Sequence, residues 1–169
     1  TYSYLFGIKT TGLRFFTVYG PWGRPDMALF LFAEAIRKGE PINVFNHGNM
    51  LRDFTYVDDI VTGVVNVILN PAQAPENKSE LNPTKAPYKI YNIGNNNPVK
   101  LMDFIQAIED AFGGKFKMNM MKLQPGDVPS TFANVDNLVR DFNYKPNTSI
   151  KTGIEKFISW YKEYYKVNT

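Results

Sequence analysis

The sequence contains no cysteine, so it can build neither a disulfide framework nor a zinc site on thiolates, a usage that suits a reducing, cytoplasmic setting. Only one histidine, His47, is present. That excludes a multi-histidine metal cage, leaves little room for a Ser/His/Asp triad, and so no metal is expected. Gly48 follows it in a polar turn, so His47 reads as an exposed loop residue rather than a reactive one. No apolar run approaches the roughly 20 residues that span a bilayer, which argues against a membrane partner. Charge of one sign is also scarce. The 19 Lys/Arg face 16 Asp/Glu, leave a net +3, and lie scattered without a basic run, which speaks against nucleic acid. The opening, TYSYLFGIKTTG, lacks a methionine and a charged leader segment. It reads instead as the tail of an amphipathic helix, with Tyr4 and Leu5 apolar and Gly7 as C-cap. The chain is therefore expected to be cut from something longer.

What is present suits one packed domain: 169 residues, 44% apolar and 15% aromatic. A strand is expected over 12–19. Asp26 can cap a helix over 27–38, whose Leu29, Phe30, Phe32, Ala33 and Ile36 form an apolar face and which Gly39 stops. PINVFN and LRDFTYV read as short strands around an HGN turn, the second placing Leu51, Phe54 and Tyr56, or their alternates, toward the core. Asp58 caps a helix to Leu69, in which Gly63 signals close approach by a neighbour. Residues 70–87 carry four prolines and read as a flexible excursion. KIYNIG is a core strand, residues 100–112 a helix ended by Gly113 and Gly114, and KFKMNMMKL a half-exposed strand. After the rigid loop QPGDVPSTFAN come a short helix, VDNLVRDF, and a last amphipathic helix opened by Ser149. Strands alternating with helices argue an α/β layer fold with parallel strands, without an internal repeat.

A phosphate cradle is missing: no GxGxxG follows a strand, and Gly113-Gly114-Lys115 lacks the P-loop spacing. Polar groups stand instead where strands end. Arg24 sits in the stiff loop GPWGRPD after the first strand, Arg52 opens LRDFTYV, and Gln124 and Asp127 lie in the QPGD loop. Ligands of open α/β sheets collect at the carboxyl ends of strands. A guanidinium there suits carboxylate or phosphate, which its fork pairs bidentately. Each residue also has a plainer reading. Arg52 beside Asp53 can simply neutralise a neighbour or pair across a turn. Trp22 and Phe45 read as core rings, and Asp58-Asp59 as helix capping, since adjacent helical residues point apart.

The strings YGPWGRPDMA and RDFTYVDDI, followed in order by YNIGN and QPGDVPSTFAN, resemble the extended short-chain dehydrogenases that act on nucleotide sugars, above all the UDP-glucuronate 4-epimerases. The resemblance covers nearly the whole chain and is weakest over 70–87. It implies a carboxyl-terminal, substrate-binding part of a Rossmann-type fold, with a few strands and helices returning to the Rossmann sheet. The family's glycine fingerprint and Tyr-x-x-x-Lys pair would lie upstream, in an absent NAD-binding half, so no catalytic residue is expected in these 169 residues. NAD would be held mainly by that half, meeting this chain at Phe15 and Phe16. The resemblance further implies that Thr17 bonds the sugar ring, Arg24 holds the sugar's C6 carboxylate, Val44 and Phe45 meet uracil, Arg52 takes the diphosphate and Asp127 the ribose. Gln124 departs from the family, which usually has an arginine there. In the full-length enzyme, implied to be a homodimer, C4 of UDP-glucuronate gives up a hydride, the 4-keto sugar turns over in its pocket, and reduction of its other face yields UDP-galacturonate. A UDP-glucuronate decarboxylase or dTDP-glucose dehydratase would share the fold. A non-catalytic module binding a nucleotide sugar or a partner helix is the contrasting class.

Overall fold

The computed structural model describes residues 1–77 and 84–167. The opening helix is α1 (Tyr2–Phe6), and Gly7 closes it in the left-handed conformation at φ 65°, as glycine does at a helix end. The strand expected over 12–19 is two strands, β1 (Thr10–Phe15) and β2 (Thr17–Tyr19). They part because they pair with different partners. β1 runs parallel to β6 (Tyr88–Ile93), whereas β2 runs parallel to β5 (Phe54–Tyr56). Phe16 is the junction, its N–H donating to the Ile93 carbonyl at 3.1 Å. LRDFTYV breaks similarly. Its β4 (Leu51–Arg52) pairs antiparallel with β7 (Val99–Lys100), and Asp53 separates it from β5. That antiparallel pair departs from the all-parallel expectation, although the remaining pairings, including β3 (Ile42–Val44) with β8 (Met118–Met120), are parallel as expected.

Helix α2 (Ala28–Lys38) begins one residue later than expected and is capped by the backbone of Met27, without a side-chain bond. Asp26 pairs with Arg24 instead. In α3 (Val57–Leu69) Asp58 likewise makes no capping bond. Asp58 and Asp59 occupy the first turn, where a negative charge suits the helix dipole, and Asp59 accepts a hydrogen bond from Thr148 N–H at 3.0 Å. Close approach at Gly63 is real, but side chains make it: a Cβ there would stand 2.7 Å from Ile93 and 2.9 Å from Tyr144. Helices α4 (Leu101–Phe112), α5 (Asp136–Phe142) and α6 (Ile150–Tyr164) follow. The Ser149 hydroxyl caps α6 by accepting from Thr152 N–H. Residues 78–83 of the expected 70–87 excursion lie outside the described residues.

Two apolar clusters result. The larger joins α2, β3, β5, α4 and α6, and holds Phe54 and Phe104 stacked at 3.9 Å with Tyr19 edge-on to both. The smaller joins Ile60 and Val67 of α3 to Tyr91, Ile93, Leu138 and Tyr144. Among the described residues no helix is long and apolar enough to cross a membrane.

Candidate functional site

The junction between β1 and β2 places the first group of site residues. Phe15, at the carboxyl end of β1, is 53% exposed, and Phe16 is half-buried. Thr17 then opens β2 directly across from Phe54, and with Arg24 it lines a small cavity floored by Phe30, Phe54 and Phe104. The free volume, about 30 Å³, is water-sized, so any larger ligand would lie along its rim. Arg24 stands on that rim with its side chain 76% exposed. Its Nε donates to Asp26 at 3.1 Å and its Nη2 at 2.5 Å. This fork raises the guanidinium pKa and lowers that of the carboxyl. A guanidinium has five N–H donors, so three remain for an anion after Asp26 is satisfied. The acid expected to cap α2 thus orients the cation.

The loop holding Arg24 is strained in one place. Trp22 has φ 60°, a left-handed conformation that costs a bulky residue about 1–3 kcal/mol and persists only where surroundings enforce it. Its ring, read from the sequence as core, is instead 74% exposed and packs on Trp160 and Tyr164 at centroid distances of 5.2 and 5.1 Å. Phe45 does pack, partly buried, against the main core.

A second group forms around Arg52. Its side chain is only 16% exposed, and its partner is Asp127, 2.7 Å away, rather than the adjacent Asp53. Nη1 also donates to the Leu51 and Pro129 carbonyls. Arg52 therefore fastens the 127–129 loop while keeping two N–H groups uncommitted. The exposed Gln124 begins the tight turn that presents Asp127, accepting from its N–H at 3.1 Å. Val44 is fully buried, so only its backbone can serve a ligand, and its carbonyl already accepts from Met121 N–H. His47 is exposed, as expected. The two groups are close in the chain: Arg52 lies two residues before Phe54, the register partner of Thr17, with only Asp53 between them.

Sequence reasoning passed over the residue that joins them. Asp53 is fully buried and accepts three backbone N–H bonds, from Asn95 at 2.9 Å, Asn96 at 3.0 Å and Ala133 at 2.9 Å. It ties the carboxyl end of β6 and the 131–134 segment to the β4–β5 break. Gly94 admits this: a Cβ there would lie 2.6 Å from Ala133 and 3.2 Å from Asp53. The signal in the sequence is a short carboxylate placed immediately before the bulky Phe54-Thr55-Tyr56 strand. Among the described residues no group of three or more His, Asp or Glu could hold a metal ion.

A parallel strand pair whose carboxyl end meets loops presenting polar side chains is the arrangement with which open α/β sheets bind their ligands. The model of the NAD dependent epimerase/dehydratase family matches residues 1–94, and the chain belongs to that family. Protein CapI of Staphylococcus aureus is 58% identical over 98% of this chain and 51% of its own length. UDP-glucuronate 4-epimerase 2 of Arabidopsis thaliana is 47% identical over 98% of this chain and 39% of its own. Among solved structures, UDP-glucuronic acid 4-epimerase from Bacillus cereus, in complex with UDP-glucuronic acid and NAD, superposes with a TM-score of 0.80 at 31% identity. It covers 97% of this chain, which covers 48% of it. The fold is thus about half of a Rossmann-type extended epimerase, and the chain spans about half the length or less of these relatives.

Proposed function

We propose that the chain is the carboxyl-terminal, substrate-binding part, over residues 1–169, of an NAD-dependent UDP-glucuronate 4-epimerase acting in the cytoplasm. The observation that carries this reading is the shared rim of Thr17 and Arg24, in a chain 47% identical to a protein named for that activity. Thr17 would bond the sugar ring and Arg24 its C6 carboxylate. A neutral hexose would leave that guanidinium without its second anion, which is how such a site discriminates. Arg52 with its remaining N–H groups suits the diphosphate, Asp127 the ribose, and the Val44 backbone with the Phe45 ring the uracil, while Gln124 would offer the substrate hydrogen bonds without a charge.

NAD would touch this chain at Phe15 and Phe16, where an exposed ring ends β1 and offers a flat apolar wall. No glycine-rich phosphate turn or Tyr-x-x-x-Lys pair is present in the sequence, so most of the cofactor contact and the proton-transferring base would come from residues outside it. When bound, NAD supplies reversible hydride acceptance at C4. The residues here bind and orient: they anchor the nucleotide through Arg52 while the sugar, held by Arg24 and Thr17, turns over between the two hydride transfers.

Product analysis of the full-length protein with UDP-glucuronate tests the reading. UDP-galacturonate at equilibrium with substrate is expected. Release of carbon dioxide would replace epimerisation with decarboxylation on the same fold.

A further inference from the structure

Trp22 takes no part in the site as described. The cavity draws Gly20, Gly23 and Arg24 from the loop and omits Trp22, whose ring contacts lie on α6. Those contacts belong to a ladder: Trp160 stacks on Tyr164 at 5.2 Å and 20° and meets Phe30 at 5.9 Å, and Phe30 lines the cavity. The loop has little slack on either side. Gly20 sits at φ 141°, a Cβ at Gly23 would stand 2.9 Å from Phe30, and Gly23 N–H bonds back to the Gly20 carbonyl at 3.3 Å. A bulky residue held in the left-handed region between two glycines, its ring exposed except where it meets α6, is what an anchor requires and what a passive surface ring does not.

We propose that Trp22 is a positioning residue: clamped by Trp160 and Tyr164 at the end of α6, it sets the place of the Arg24 guanidinium and so the selectivity for an anionic sugar. The proposal rests on Arg24 holding the sugar carboxylate. Only Gly23 lies between Trp22 and Arg24, and its N–H is tied back to the Gly20 carbonyl, while Pro25 stiffens the chain just beyond the arginine. Release of the ring therefore moves the cation. Because Asp26 holds the fork, the pair moves together and the cost falls on ligand recognition rather than on the fork.

The test uses the full-length protein and measures kcat and KM for UDP-glucuronate and UDP-glucose. Trp22→Gly fits the φ 60° backbone and removes the ring while freeing the backbone, which is why Tyr164→Ala, removing a ring contact without touching the loop, is measured beside it. It should lower the preference for the acidic sugar roughly tenfold, the scale of one displaced polar contact, through KM for UDP-glucuronate. Constants for UDP-glucose should stay unchanged. Trp22→Phe should restore the preference, and Tyr164→Ala, at an exposed helix end, should reproduce part of the loss. In the ligand-free protein, near-ultraviolet circular dichroism should lose the same coupled band in Trp22→Phe and Trp160→Phe. A wild type that prefers UDP-glucuronate while Trp22→Gly keeps that preference would overturn the anchor alone. A wild type without the preference would overturn the Arg24 reading and the anchor together.

Discussion

The two apolar clusters differ in how far this chain completes them. Around β2, β5, α2, α4 and α6, aromatic rings fill the interior, with Phe104 and Phe157 fully buried. Around β1, β6 and α3 the cluster is small, and large apolar side chains face outward: Tyr2, Tyr4, Leu5 and Phe6 on α1, and Ile68 and Leu69 at the end of α3, are 61–71% exposed. Exposed apolar faces of this kind mark interaction surfaces. The contrast divides function as well. The proposed sugar and nucleotide contacts stand on the packed region, whereas Phe15 and Phe16, proposed to meet the cofactor, lie where the packing is unfinished. Asp53 is the bolt between them.

That contrast can be broken by substitution. Phe104→Ala should cost about 4 kcal/mol, as large-to-small changes in packed aromatic cores do, whereas Leu69→Ser should stay within about 0.5 kcal/mol. Urea unfolding of both variants checks this, and equal losses would erase the distinction. Asp53→Ala leaves three backbone N–H groups without their acceptor, that of Ala133 fully buried and that of Asn95 partly so, and should cost about 3 kcal/mol. Amide exchange should then accelerate at Asn95, Asn96 and Ala133 before it does in α4. Uniform acceleration across the chain would deny Asp53 its joining role.

A smaller effect sharpens the description of the packed region. Glu34 is bound by Arg37, Tyr161 and Lys38, and its pKa is held down to about 2, Arg37 being the largest cause. The Tyr161 hydroxyl donates to Glu34 at 2.7 Å and links α6 to α2. A carboxyl with a lowered pKa stabilises above its unfolded value and loses that contribution as pH falls through the folded one. Wild type should therefore exceed Glu34→Gln by about 0.5 kcal/mol at around pH 6, a small figure because the pair is exposed to solvent, and the gap should close as pH falls from 4.5 to about 2. A gap that persists after that fall would assign the effect to packing.

Most elements were legible in the sequence because their local signals were strong: Gly7, Gly39 and Gly113 close helices in the left-handed conformation, and Ser149 caps α6. What could not be read locally was pairing. β1 and β2 read as one continuous strand in the sequence, and only their different partners, β6 and β5, separate them. Asp26 and Asp58 illustrate the same limit. Each had the identity of a cap, but Arg24 claimed the first, and the backbone of Tyr56 opens the helix at the second. The site was legible as a set of residues at strand ends. That Arg52 would choose Asp127, 75 residues away, over adjacent Asp53 is decided by tertiary contacts alone.

The most direct measurement is kcat/KM of full-length Arg24→Ala for UDP-glucuronate and for UDP-glucose. An exposed guanidinium that recognises the carboxylate gives a roughly 30-fold loss for the acidic sugar, the scale of one charged hydrogen bond, with the neutral sugar little changed and folding intact. Undiminished turnover of UDP-glucuronate would show that the carboxylate is held elsewhere.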